Sequence, residues 1–259
     1  MQAHLFKYFC LTNLHVGSGE SNYNIVDNEV EKDISGNPVI FSSGVKGALR
    51  EHFSRSLSEE RIVDIFGKKP IVTAAVTAGK YKFLDACMLA RPMRVSGSAV
   101  SSFIPVTTLD AVNNYLLLIT SLNCNPHGIS RIEADASVFG NACFLTNSTE
   151  RIRIEGDITE PMPDVLAAQL AKLSDILGDT FALVRSFDEY PLPVIARNQL
   201  EKQISKNLWY EEIVPHHSVF YQITVTPGKE LELPMDAALI QFGGNASIGC
   251  GFIKIDKLF

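Results

Sequence analysis

Apolar runs of two different periods are interleaved along this chain, and their order constrains the fold more than any other feature. His4 to His15 is dense in aromatic and aliphatic residues without clean alternation, as expected of a central strand covered on both faces. Pro38-Val39-Ile40-Phe41 reads as a short strand, after which Ser43 is expected to cap a helix whose Val45, Ala48, Leu49 and Phe53 keep helical spacing. A further helical turn or two covers 59–66, a strand covers 81–90, and Leu109, Val112, Leu116 and Leu117 mark a helix starting near Thr107 or Thr108. Arg151-Ile152-Arg153-Ile154 alternates as a strand, and Leu166, Leu170, Leu173 and Leu177 define a helix bounded by Pro163 and Gly178. Strands are expected at 182–184, 219–226, 237–242 and 252–255. The regular beat of a doubly wound sheet is missing, so an α+β sandwich of the split-βαβ kind fits best.

The chain has 259 residues, 46% of them hydrophobic, which is enough for a core and near the upper end for a single one. A small domain carrying large insertions is expected. Its five cysteines form no Cys-x-x-Cys pair, so reduced thiols are the natural reading and a structural zinc site is not expected. No run approaches the ~20 apolar residues of a spanning helix, and Met1-Gln2-Ala3-His4-Leu5 lacks the layout of a signal peptide. A soluble, cytoplasmic protein without membrane contact is the expectation.

The net charge of −6 conceals a segregated distribution. Residues 46–94 hold ten basic and five acidic side chains, while the flanking parts are acidic. One basic segment in an acidic chain suits a groove that tracks a phosphate backbone, and a solvated mixed face explains it equally well.

Residues 17–36 are different in kind. Gly17-Ser18-Gly19, three asparagines, Asp27, Glu29, Glu31, Asp33 and a Ser35-Gly36-Asn37-Pro38 turn make a long polar loop, able to carry a short hairpin of its own. Such loops are usually functional or disordered. Asp27 stands out because the apolar pair Ile25-Val26 can anchor the loop and present it. A carboxylate of intrinsic pKa ~3.9 is a poor base at neutral pH but a good hard ligand for Mg²⁺. His15 opens onto this loop, and an unperturbed imidazole near ~6.5 suits acid/base work, with a purely structural role an even alternative. Glu211-Glu212, after Trp209-Tyr210, is a second acidic candidate whose plainer reading is a solvated carboxylate pair beside a core aromatic. Lys46 and Arg50, four apart near the helix start, share a face that favours an anion or is merely solvated. Gly243-Gly244-Asn245 through Gly249-Cys250-Gly251 is neither a Walker loop nor a dinucleotide fingerprint. Its amides could cradle phosphates, or it could simply join two strands. No nucleophile elbow and no zinc-spaced histidine pair occurs.

Taken in order, Leu14-His15-Val16-Gly17-Ser18-Gly19, Ile25-Val26-Asp27, Gly36-Asn37-Pro38-Val39-Ile40, Val45-Lys46-Gly47-Ala48-Leu49-Arg50, Gly243-Gly244 and Gly249-Cys250-Gly251-Phe252 resemble the RAMP proteins of CRISPR effector complexes. Phe83-Leu84-Asp85-Ala86 with Arg91-Pro92-Met93-Arg94, and Leu208-Trp209-Tyr210-Glu211-Glu212-Ile213-Val214-Pro215, look like the repeated backbone subunit of type III-B (Cmr) complexes. The resemblance spans nearly the whole chain, residues 120–205 least. It implies one domain over 1–259: a modified ferredoxin-like, RNA-recognition-type palm with a helical insertion and a hairpin thumb. Inserted segments would lie at about 55–80 and 120–205, and the glycine-rich loop at 243–251. Copies would stack along a guide RNA with the other Cmr subunits, each thumb displacing one nucleotide of a single-stranded target RNA. Asp27 matches the family's cleavage aspartate. Two departures are Cys250, where the family commonly has arginine, and 28–33, where it has a Pro-x-x-Arg-Glu pattern.

The leading expectation is therefore a metal-dependent endoribonuclease, with Asp27 holding Mg²⁺ or Mn²⁺ and His15, Glu211 or Glu212 helping proton transfer. Lys46, Arg50, Ser18, Gly243, Gly244, Asn245, Gly249 and Gly251 would bind RNA. A scaffold subunit that binds guide and target without cutting is the alternative. An unrelated enzyme of phosphorylated small molecules is disfavoured, since no cofactor fingerprint is present.

Overall fold

The computed structural model describes residues 1–21, 26–68, 77–98, 101–150 and 152–259. Strand β1 (Gln2–Cys10) sends Phe6, Tyr8 and Cys10 into one core and Ala3 and Leu5 into another on the opposite face. Period-two geometry makes the two-sided burial unavoidable for so apolar a strand. The polar loop carries its own pairing, between β2 (Gly17–Ser21) and β3 (Asn28–Val30).

After β4 (Val39–Ile40) comes α1 (Ser42–Phe53), which buries Val45, Leu49 and Phe53. Its start corrects the sequence reading. The helix begins ahead of Ser43 with no side-chain cap of its own, and the free N–H of Ser42 donates instead to Asp85 Oδ1 at 2.6 Å. A carboxylate brought from a distant loop thus satisfies an orphan donor and sits at the positive end of the helix. Helix α2 (Glu59–Phe66) is capped locally by Ser58.

The strand expected at 81–90 divides at Leu84-Asp85 into β5 (Lys82–Phe83) and a longer β6 (Ala86–Ser96), which runs on through Pro92. Next come β7 (Phe103–Thr107) and α3 (Leu109–Ser121), where Thr108 Oγ1 accepts from the Ala111 N–H at 3.1 Å. Short strands β8 (Phe144–Thr146), β9 (Arg153–Ile154) and β10 (Asp157–Pro161) precede α4 (Asp164–Leu170) and α5 (Ser174–Leu177). The single helix expected between Pro163 and Gly178 is broken by a 3-10 turn at Ala171–Leu173, yet all four spaced leucines are buried. Strand β11 (Ala182–Val184) leads to a long hairpin of β12 (Val194–Glu201) and β13 (Ile204–Glu212). The chain closes with β14 (Val219–Thr226), β15 (Ala238–Gln241) and β16 (Phe252–Lys257).

The main sheet runs β15-β16-β1-β14-β6 with antiparallel pairing, then continues through β7, β11, β8, β10 and β9. The pairs β7–β11 and β8–β10 are parallel, so the fold is mixed α/β. Helices α1 and α2 cover one face, and α3, α4 and α5 cover the other. A second sheet, β12-β13-β3-β2, joins the hairpin to the polar loop. Among the described residues no helix is long and apolar enough to cross a membrane, and the five cysteines are free.

Candidate active site at the root of the hairpin

The end of β13 lies against three other segments, and Glu211 ties them together. Its carboxylate accepts from Arg197 Nε at 3.1 Å, Trp209 Nε1 at 2.8 Å, Asn245 Nδ2 at 2.7 Å and Asn28 Nδ2 at 3.4 Å. Burial alone would raise this carboxyl, but the hydrogen bonds from Trp209, Arg197 and Asn245 hold it below the usual carboxylate range. Glu212 accepts from the Val30 N–H at 3.1 Å and from Lys32 Nζ at 2.9 Å. Both carboxylates are buried, which corrects the reading of a solvated pair. Their oxygens are committed to the protein, so neither is placed to move a substrate proton. Trp209 is half-buried on the hairpin and belongs to none of the hydrophobic cores. It is therefore not the core aromatic that the sequence suggested, because β13 leaves the body of the protein before reaching it.

His15 is buried beside this clamp, its Nδ1 2.8 Å from the Glu212 carbonyl oxygen. A carbonyl only accepts, so Nδ1 carries the proton and Nε2 of the neutral ring presents its lone pair. A side chain at Gly17 would place its first carbon 2.9 Å from Nε2. Glycine there leaves that nitrogen approachable. Gly243, at φ +75°, has no room for a side chain either, since a β-carbon would fall 2.3 Å from the His15 carbonyl oxygen. The Gly244 N–H donates to that same oxygen at 2.8 Å.

The glycine loop joins two strands as the pattern indicated, but its amides are largely spent inside the protein. Gly249 donates to the Ala246 carbonyl, Cys250 to that of Asn245 and Gly251 to that of Asn13. A phosphate cradle through Gly244, Gly249 and Gly251 is thereby corrected: Gly243 and Gly244 pack against His15, Gly251 packs against the Phe242 main chain, and the Gly249 N–H is spent within the loop. Asn245, left-handed at φ 61°, turns its amide onto Glu211 and not outward.

Asp27 lies just before β3, half-buried, and is held by the hairpin through reciprocal main-chain contact. Its N–H donates to the Tyr210 carbonyl at 3.0 Å, and its Oδ2 accepts from the Tyr210 N–H at 2.8 Å. Among the described residues Oδ1 has no hydrogen-bond partner. Among the described residues no group of three His, Cys, Asp or Glu side chains could enclose a metal ion. A single fixed carboxylate fits a Mg²⁺-type ion that keeps most of its shell as water and phosphate oxygens. Residues 22–25, which include the expected anchor Ile25, lie outside the described residues, and Ser18 is placed only as backbone within β2.

Lys46 and Arg50 stand half-exposed on α1, and neither has an ion-pair partner among the described residues. Arg50 falls in the last turn of the helix, which corrects its placement near the positive end; there it complements the C-terminal dipole. Nor is the 46–94 segment one continuous basic strip. Arg55, Arg61, Lys80 and Arg94 pair with Glu51, Glu232, Asp64 and Glu155.

Sequence reasoning missed Arg197 and Tyr210. Arg197 also brings Nη2 to 3.9 Å from the Cys250 sulfur. Its only signal is cross-strand register with Trp209, legible once the hairpin is located.

Residues 10–254 match the family model of the RAMP superfamily. The chain is 26% identical to the CRISPR system Cmr endoribonuclease Cmr4 of Pyrococcus furiosus, over 98% of this chain and 95% of that protein. It is 31% identical to the CRISPR system CMR subunit Cmr4 of Saccharolobus solfataricus, over 95% and 93%. Among solved structures it is similar to a chain of the type III-B Cmr-beta complex bound to cognate target RNA, with a TM-score of 0.76 and 20% identity, covering 99% of this chain and 97% of that one.

Proposed function

This chain belongs to the RAMP superfamily, and from that membership we propose that it is the repeated backbone subunit of a type III-B CRISPR complex. It holds a guide RNA and cuts the complementary target RNA at regular intervals, active only once assembled in the cytoplasm with further copies of itself and the other Cmr subunits. The layers around β1 and β14 serve as a modified ferredoxin-like palm, and the β12–β13 hairpin as its thumb. The endoribonuclease name of the P. furiosus relative, similar over nearly the full length of both chains, supports the enzyme reading.

The observation that carries it is the tethering of Asp27 to Tyr210 at the thumb's root. A paired A-form duplex resists the in-line approach of a ribose 2′-hydroxyl to its own phosphate, and a nucleotide pushed out of the stack is freed from that restraint. The thumb that displaces the nucleotide also fixes the carboxylate. Asp27 would hold a divalent ion, which supplies charge stabilisation at the phosphate. His15, with its proton on Nδ1, offers Nε2 to take the 2′-hydroxyl proton. Lys46 and Arg50 bind guide phosphates without reading sequence, since base pairing supplies specificity.

A scaffold reading is favoured by one feature: Glu211 and Glu212 are consumed by structural contacts, leaving one carboxylate for the chemistry. Asp27→Asn separates the two, because it keeps an acceptor for the Tyr210 N–H while weakening the metal ligand. In complexes assembled with guide RNA, labelled target and Mg²⁺, the wild type should give an evenly spaced product ladder. The variant should load guide and bind target normally yet cut at least ~100-fold more slowly at every position. Cutting at near wild-type rate would remove Asp27 from the chemistry, and a ladder that survives EDTA would remove the metal.

A further inference from the structure

A cavity of about 390 Å³ is lined in part by Glu212, next in sequence to the Glu211 clamp. One wall is the 32–38 turn that follows β3, and the opposite wall is the 185–192 segment that leads into β12. The cavity therefore lies between the chain leaving the loop that carries Asp27 and the chain entering the thumb.

It is lined by a buried cation that has no carboxylate partner among the described residues. Arg91 is 5% exposed, rests its guanidinium 4.2 Å from the Phe187 ring centre and donates to the Tyr190 carbonyl. No carboxylate among the described residues lies within ion-pair distance of it. Burial pulls its pKa down to about 10, against only weak support from Glu155 and Glu212. The one buried carboxylate among the liners, Glu212, is already paired with the exposed Lys32 at 2.9 Å. The remaining charged liners, Asp110, Arg185 and Asp188, are exposed at the rim, where water screens them. Buried charges are ordinarily paired, and a guanidinium with most of its donors unspent is built to take an oxyanion in a forked geometry.

We propose that this cleft is a phosphate site for RNA, with Arg91 as the buried cation that receives one phosphodiester beside the thumb root. The proposal rests on the reading of the chain as an RNA-binding subunit and adds a contact that reading does not contain. A phosphate seated there would bridge the segments that carry Asp27 and the thumb.

The test measures RNA affinity of the assembled complex against salt, in EDTA so that cleavage does not enter. Arg91→Gln should weaken binding about tenfold, as loss of a charged hydrogen-bonded contact does. Its log affinity against log salt should be shallower by about 0.7. Arg91→Lys should keep the slope and lose part of the affinity, since the charge survives without the fork. Ser35→Glu, at an exposed liner of the cavity that tolerates change, puts a competing carboxylate at the mouth. It should weaken RNA binding several-fold with an unchanged Tm, and it decides the question if Arg91→Gln does not fold. Wild-type affinity and slope in a folded Arg91→Gln or Ser35→Glu protein would overturn the proposal. So would a Tm gain with inorganic phosphate or AMP that needs Arg91 while RNA binding does not, since that marks a small-anion site. If the Arg91 variants and the α1 cation variants all leave RNA binding intact, the RNA-binding reading itself has failed; if only the Arg91 and Ser35 variants do, the cleft alone has.

Discussion

Glu211 shows how a residue can be indispensable to a site without touching its chemistry. Four donors converge on it, one from its own strand and three from other segments, so removing its charge leaves Arg197 partly buried and without its countercharge. Breaking such a pair costs about 3–5 kcal/mol, and we expect Glu211→Gln to lose stability near the lower end of that range. The pH dependence gives the assignment its signature. Because folding lowers the Glu211 carboxyl, its contribution is present in full above the unfolded value near ~4.3 and is lost as pH falls through the folded value. The Tm gap between wild type and Glu211→Gln should therefore be widest near pH 7 and close as pH drops below about 4. A variant that melts like the wild type but fails to cut would make Glu211 a participant in proton transfer after all.

The hairpin is the element on which sequence and structure part. Its connection is Lys202-Gln203, both residues at positive φ, 50° and 66°, as a two-residue hairpin loop of the primed type demands. Asn-Gly is the pair that adopts this geometry readily, and substituting it should stabilise the hairpin by up to ~1 kcal/mol. Lys202→Asn with Gln203→Gly should slow hydrogen exchange in β12 and β13 about fivefold, while global Tm barely moves, because the hairpin tip lies outside the cores. Equal slowing across the main sheet would show the tip to be part of the global folding unit. The same residues explain why residue pattern alone does not locate the hairpin thumb that the resemblance implies. Its strands are exposed and carry apolar residues such as Val194, Leu200, Ile204 and Leu208 that face no core, so their pattern reports no buried face, and Lys-Gln carries no turn signal. By contrast, β14 and the Thr108-capped α3 were legible to within a residue or two, because both bury a continuous apolar face. The buried network at Glu211 joins residues 34 and 183 positions apart, which no local pattern can encode.

At the scale of the molecule, the basic character concentrated at 46–94 in the sequence is dispersed by folding. Four of its cations are paired with neighbouring acids and Arg91 is buried, so among the described residues Lys46, Arg50, Lys68 and Lys82 are left without an ion-pair partner, the first two four apart on α1. Lys46→Ala with Arg50→Ala should weaken guide RNA binding and flatten its salt dependence by about 0.7 per contact, with Tm little changed. An unchanged slope would show that this face is merely solvated. The two hydrogen bonds between Asp27 and Tyr210 have a mechanical corollary. Backbone and side chain of the aspartate are both bolted to the same strand, so the carboxylate and the hairpin root share one degree of freedom. A force that levers the hairpin aside withdraws the carboxylate in the same stroke, as an interlock disables a machine whose guard is open.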